Sequence, residues 1–148
     1  MSQFNSLKAI SDLKYLEKNR TFAREFADEN LALSNIHFVH ALKIKGELGE
    51  KIDTDVLKAA LSQEELQSEV AFYLAKVSIP EMDQYLIENL NSLLETMESN
   101  VDKVYWLIFA ILKTATSRAK FFLRGILTTY SPKNDLLKLA FEEAGKSV

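Results

Sequence analysis

Cysteine is absent from the 148-residue chain, and turn-forming residues are scarce, with four glycines and two prolines. Without cysteine the protein can have no disulfide bond, no catalytic thiolate and no cysteine-ligated zinc or iron–sulfur site. An all-β domain of this length would need many more turn-forming residues, because every hairpin depends on its own turn. The long stretches between the few glycines and prolines therefore predict an all-α fold.

Composition and length are those of one ordinary globular domain. Apolar residues make up 47% of the chain and charged residues 26%, which argues against disorder. No apolar run approaches the roughly 20 residues that a membrane-spanning helix needs, and the N-terminal segment lacks the apolar core of a signal peptide. We expect one domain over residues 1–148, no transmembrane segment and a cytoplasmic location, with which the lack of cysteine agrees.

Apolar residues recur at spacings near three, four and seven, as they do along one face of a helix. Residues 11–45 carry such a stripe without a breaker, which fits one long helix or two with a bend near Asn30. Residues 62–65, Ser-Gln-Glu-Glu, have the pattern of a capping box. A later helix begins near Asn100 and is expected to extend to Tyr130. The whole chain predicts a bundle of five to six helices joined by short loops.

The segment at residues 104–112 reads VYWLIFAIL and is apolar on every side of its predicted helix. Val104 and Ile108 follow the core stripe, whereas Trp106 and Phe109 fall on the opposite side and need cover. Burying a side chain of this size is worth about 2–3 kcal/mol. Which part of the structure buries Trp106 and Phe109 is therefore an informative question about the fold.

Three arrangements would cover the second face. In the first, the helix is the centre of the bundle and its neighbours surround it; we favour this one, because a chain of this length can bury one such helix. In the second, another copy related by twofold symmetry covers it; a foreign protein or a membrane surface is a third option. Since aromatic side chains are common interface anchors, Tyr105, Trp106 and Phe109 are our candidate interface residues.

The two histidines, His37 and His40, lie three residues apart and share one face of a predicted helix. A metal site in a helical bundle needs further ligands from facing helices, commonly in Glu-x-x-His pairs, and the sequence has no such pair. We therefore predict no metal and no cofactor.

His40, Ala41, Leu42 and Lys43 resemble the phospho-acceptor motif of the histidine phosphotransfer domains, a family of small helical bundles. In that family an exposed histidine accepts the phosphoryl group, and leucine and lysine follow it by two and three residues. The resemblance covers four residues and implies a phospho-acceptor role for His40. The family places a glycine directly after the lysine, for access of a response regulator, and this chain has Ile44 there.

Other catalytic signatures are missing from the sequence. It has no glycine-rich phosphate loop, no Gly-x-Ser-x-Gly elbow and no His-Glu-x-x-His motif. The acidic residues Glu64, Glu65 and Glu69 cluster on one predicted helix, and Glu64 and Glu65 are explained by its first turn, where carboxylates favour the helix dipole. We therefore predict that the protein is not an enzyme.

Basic residues cluster at residues 113–124. Lys113, Lys120 and Arg124 recur at spacings of seven and four and so form one stripe on a continuous helix, with Arg118 at its side. Such a surface can bind phosphate. It supports a further hypothesis, that the protein is a regulator that binds nucleic acid.

Two features argue against nucleic acid as the partner. The isoelectric point is about 5.5, far below the value of about 9 that is typical of nucleic-acid-binding domains, and Phe121 and Phe122 are expected in the core rather than as stacking platforms. Residues 51–100 carry three basic against ten acidic residues, so the basic stripe is expected to pair with them.

The sequence as a whole favours a non-catalytic protein–protein interaction module of the adaptor, chaperone or inhibitor type. Its partner is expected to be another protein or a second copy of the same chain.

Overall fold

The chain folds into several short helices separated by breaks. The computed structural model describes residues 19–33 and 35–148, and in this part of the chain it contains eight α-helices and no strand. They are α1 (Arg20–Glu29), α2 (Phe38–Leu48), α3 (Thr54–Leu61), α4 (Gln67–Lys76), α5 (Asp83–Asn91), α6 (Val101–Thr114), α7 (Ser117–Thr129) and α8 (Asp135–Ser147). The prediction of an all-α bundle is confirmed, and the predicted number of five to six helices is too low.

Short 3₁₀ turns precede three of the helices and add to the segmentation. They span Glu64–Leu66, Pro80–Met82 and Leu94–Ser99. The predicted capping box is wrong, because Ser62 ends α3 rather than opening the next helix. Its hydroxyl donates a hydrogen bond to the carbonyl of Ala59 at 2.6 Å.

The first long stretch forms two helices where the structure describes it. α1 ends at Glu29 and α2 begins at Phe38. The Asn30 side chain donates to the carbonyl of Phe26 at 2.7 Å and so satisfies one of the free carbonyls at the end of α1. The part of this prediction that concerns residues 11–18 lies outside the described residues.

The helix predicted to reach Tyr130 is broken in the middle. Ala115 adopts a left-handed backbone conformation with φ of 57° and ends α6. The Thr116 hydroxyl then accepts a hydrogen bond from the backbone N–H of Ala119 at 3.1 Å and caps α7. An alanine in the sequence does not predict this conformation, which is usually adopted by glycine.

Helix α6 is the central helix of the bundle. It packs most extensively against α4 and also contacts α5, α7 and α8. Its inward face is fully or almost fully buried, as shown by Val104, Leu107, Ile108, Ala110, Ile111 and Thr114. The favoured arrangement is therefore confirmed for the position of α6 at the centre of the bundle, whereas Trp106 and Phe109 on its second face are only partly buried.

A second, small core joins α1 to α2. It contains four buried residues, Ala23, Ala27, Ala41 and Ile44. Beside it the ammonium group of Lys45 is buried between the carboxylates of Asp28 and Glu50, and Glu50 also accepts a hydrogen bond from Arg24. This ion-pair cluster holds α1 in place together with the small core and the partly buried Phe26, Leu31 and Leu48 that pack against it.

We expect α1 to loosen in acid before the rest of the bundle. Burial alone would raise the pKa of Glu50, but hydrogen bonds from Lys45 and Arg24 outweigh it and lower the pKa below the ordinary value of 4.5. A lowered pKa gives stability that is present above pH 4.5 and is lost as the pH falls through the folded-state value. Protection of the amide hydrogens of α1 from exchange, measured against the intrinsic rate at each pH, should therefore fall below pH 4.5 relative to α6. Glu50→Gln should remove this pH dependence, and an equal loss of protection in α1 and α6 would contradict the assignment.

Candidate functional site

Four aromatic side chains form a cluster on the outward side of α6. Trp106 meets Phe72 of α4 edge to face, with ring centroids 4.7 Å apart, and Tyr105 lies 4.9 Å from both Trp106 and Phe109. All four rings are partly buried, so their own chain covers them only in part. We call Phe72, Tyr105, Trp106 and Phe109 the aromatic face.

A pocket of about 490 Å³ opens beside Trp106, where α2, α4 and α6 meet. Two helices besides α6 supply most of its wall. It is lined by Val39, Leu42 and Lys43 of α2, by Ser68, Glu69 and Phe72 of α4, and by Asp102 and Trp106 of α6. We call it the Trp106 pocket. It is continuous with the aromatic face, because Phe72 and Trp106 belong to both.

The polar groups of the Trp106 pocket are available to a ligand. Lys43, Glu69 and Asp102 are exposed, and none of them forms an ion pair or a side-chain hydrogen bond with another described residue. The indole N–H of Trp106 likewise has no acceptor among the described residues. Trp106 is only partly buried, and no buried polar side-chain atom in the described residues lacks a partner. Its N–H therefore reaches solvent and, with the two carboxylates, can meet an external ligand.

The mouth of the pocket is negatively charged overall. A neighbouring depression shares Ser68 and Glu69 with the pocket and adds Glu64, Glu65 and Lys103. Lys103 and Glu64 form a loose ion pair of 3.7 Å. Together the two hollows carry four carboxylates and two ammonium groups, which favours a basic ligand over an acidic one.

Sequence reasoning predicted part of this site. Tyr105, Trp106 and Phe109 were selected from one helix, and the structure places them side by side. Lys43 and Phe72 were not selected, because they reach the pocket from two other helices and no local pattern links them to Trp106. A usable signal was Phe72 itself, an aromatic residue that lies beside Tyr73 and so cannot share its buried direction on a helix.

His40 is partly buried in the first turn of α2. Ile44, which stands where the phosphotransfer family has glycine, is fully buried against α1 in the small core. The ring of His37 lies 5.9 Å from that of Phe26. In the described part of the chain no three histidine, aspartate or glutamate side chains come close enough to hold a metal ion.

The predicted basic stripe is divided in the structure. The break at Ala115 separates Lys113 from α7, and Arg118 turns toward α5, where it contacts Asp83 at 3.5 Å. Lys120 lies two residues beyond Arg118 and lines a small hollow beside the end of α8. Among the described residues only Arg118 of the four pairs with the acidic middle third, so the expected pairing holds for one residue.

Phe121 was expected in the core, and this prediction is wrong. Its side chain is 76% exposed, whereas Phe122 is partly buried and Leu123 is fully buried. Residues two apart point to nearly opposite sides of a helix, so the burial of Leu123 turns Phe121 outward. Phe121 is the most exposed aromatic side chain in the described residues.

No helix in the described residues combines the length and the apolar character needed to cross a bilayer. The chain has no match among protein-family models, curated protein sequences or solved structures.

Proposed function

We propose that the protein is a non-catalytic binding module that holds a segment of another protein in the Trp106 pocket. The observation that carries the proposal is the half-covered aromatic face, which opens into a pocket whose polar groups have no partners in the described chain. Tryptophan and tyrosine are among the commonest residues at the energetic centre of protein interfaces. Partly exposed rings can anchor an apolar side chain of a partner, and the unpaired charges beside them can bind its polar groups.

The chemistry of the pocket defines the partner. Phe72 and Trp106 offer apolar walls for an aromatic or long aliphatic side chain, and Glu69 and Asp102 stand beside them as free carboxylates. A segment with an apolar anchor next to lysine or arginine would satisfy both, and its cation could also stack on the indole ring. The carboxylates repel phosphate, so this surface is unsuited to nucleic acid.

The proposal includes an adaptor, chaperone or inhibitor type of action, in which occupying a partner's segment is itself the function. The cysteine-free composition supports action in a reducing compartment such as the cytoplasm. The lack of recognisable catalytic motifs in the sequence supports binding as the whole of the activity.

Selection from a displayed random-peptide library tests this function. We expect the enriched peptides to combine an aromatic or aliphatic anchor with neighbouring lysine or arginine. Charge reversal by Glu69→Lys together with Asp102→Lys should weaken their binding about tenfold, because two attractive contacts at the interface become repulsive. Both positions are exposed, so the fold should be preserved, as circular dichroism can check.

Glu142→Lys is the matched control, since it reverses an exposed carboxylate on α8 at a position that does not line the pocket. It should leave peptide binding unchanged. Enrichment of no common motif, or equal loss of binding in the control and in the pocket variant, would refute the proposed site.

A further inference from the structure

A second apolar surface lies between α5 and α7, away from the Trp106 pocket. It is a groove of about 460 Å³, with mainly apolar walls that include Ile87, Leu94, Phe121, Phe122, Ile126 and Tyr130. Phe121 stands at its rim with 76% of its side chain exposed. An exposed phenylalanine beside an apolar groove has the form of a knob next to a hole, and both belong to the same molecule.

The wall of this groove includes a glycine, Gly125. Gly125 lies in the interior of α7, and a Cβ atom added there would meet nothing within 4 Å. The fold of the monomer therefore gives no steric reason for glycine, which weakens a helix relative to alanine. The distance between packed helices depends on the side chains at their contact, so Gly125 allows another helix to approach α7 closely.

Charged side chains lie near both ends of the groove, and at one of them Arg118 is paired with Asp83. Arg118 lies two turns before Gly125, about 10 Å along the axis, and keeps 60% of its side chain exposed although it contacts Asp83 and Gln84. At the other end Glu95 accepts a hydrogen bond from the hydroxyl of Tyr130 at 3.1 Å. Glu98 lies further on and accepts from the backbone N–H groups of Lys133 and Asn134.

We propose that the groove binds a second copy of the same chain, with the two α7 helices antiparallel and crossing at Gly125. A twofold axis at Gly125 places the Phe121 ring of each copy in the other's groove, near Leu94 and Tyr130. The same operation brings Arg118 of each copy to Glu95 of the other.

Charge complementarity selects this occupant. An exposed arginine near one end and an exposed glutamate near the other are matched by the same surface turned by 180°, as a twofold interface requires. The sequence prediction of a homodimer is thus kept, but its surface moves from Trp106 to Phe121. The groove shares no lining residue with the Trp106 pocket, so the inference does not depend on the proposed function. Such a dimer would carry two Trp106 pockets in one particle.

Two charge-reversed variants test the arrangement. Mass in solution is measured by light scattering over a concentration range for the wild type, Arg118→Glu and Glu95→Arg. We expect the wild type to form a dimer and each variant alone to need at least about tenfold higher concentration, because like charges then meet at both ends. Mixing the two variants should restore a dimer, since the glutamate introduced in one chain then meets the arginine introduced in the other.

Substitutions of glycine provide the matched control for folding. Gly125→Leu should abolish the dimer while it leaves the thermal unfolding midpoint of the monomer unchanged or raised, because the added side chain meets open space. Gly145→Leu, at an exposed glycine of α8 with equally open surroundings, should leave the dimer intact. A monomeric wild type, dimers that survive in the single charge variants, or a mixture that stays monomeric would overturn the proposal.

Discussion

Leu107→Ala is expected to lower the free energy of unfolding by about 2–5 kcal/mol, a large share of the stability of a typical domain. Leu107 is fully buried on α6, the helix that contacts four of the other helices. Removing its methyl groups leaves a cavity at the centre of the bundle, where the surrounding helices cannot easily close it. Urea unfolding followed by circular dichroism measures the change.

Leu139→Ala is the control for this prediction, because Leu139 is 44% exposed on α8. Its substitution should change the free energy of unfolding by about 0.5 kcal/mol or less, as is usual for surface positions. Equal losses for Leu107 and Leu139 would contradict the placement of α6 at the centre of the core.

Tyr73→Ala is expected to cost a further large amount, about 3–5 kcal/mol by analogy with other buried aromatic residues. Tyr73 is fully buried on α4, and its hydroxyl donates a hydrogen bond to the carbonyl of Glu50 at 2.6 Å, beyond the end of α2. Gly46 of α2 faces the same ring. Tyr73→Phe keeps the ring and should cost about 1–3 kcal/mol, the penalty for leaving a buried carbonyl unpaired.

The wild type and Tyr73→Phe can also be compared by their free energy of unfolding at alkaline pH. Burial, together with the nearby Glu50 carboxylate, raises the pKa of Tyr73 from 10.0 to about 12. A raised pKa means that the stabilising effect is complete below pH 10 and is lost as the pH rises toward 12. This loss should be smaller in Tyr73→Phe than in the wild type and should persist in full in Tyr85→Phe, because Tyr85 is 38% exposed. An unchanged alkaline transition in Tyr73→Phe would contradict the assignment.

The elements that could be predicted are those fixed by local patterns. The scarcity of glycine and proline and the apolar spacing at residues 101–111 predict helices, and they predict which side of α6 is buried. The break at Ala115 could not be predicted, because its left-handed conformation depends on how Thr116 caps the following helix and on how both helices pack. The division of the basic stripe follows from that single residue.

The candidate site was predictable only where one helix supplies it. Trp106 and Phe109 stand on the side of α6 opposite the core stripe, as the spacing indicated, and whether they bind a partner stays a prediction. Lys43 and Glu69 reach Trp106 from α2 and α4, and that meeting is a property of the tertiary packing. Phe121 was misplaced because two adjacent phenylalanines suggest a core, although only one of them can face it.

Two separate surfaces are proposed to bind two different partners. The Trp106 pocket is proposed to bind a foreign segment, and the Phe121 groove is proposed to bind a second copy. Because the two surfaces share no lining residues, variants of one should leave the other unaffected, and each proposal can fail without the other.

The fluorescence emission of Trp106 can report binding at the proposed site, because Trp106 is the only tryptophan in the chain and it lines the pocket. The probe is an amphipathic helical peptide of leucine and lysine, and a peptide of serine and lysine serves as its control. We expect a saturable shift of emission to shorter wavelength with the leucine peptide and none with the serine peptide. The dissociation constant should be about tenfold higher when Glu69 and Asp102 are both replaced by lysine. Unchanged emission with the leucine peptide, or the same shift and affinity in the charge-reversed variant, would contradict a binding site at Trp106.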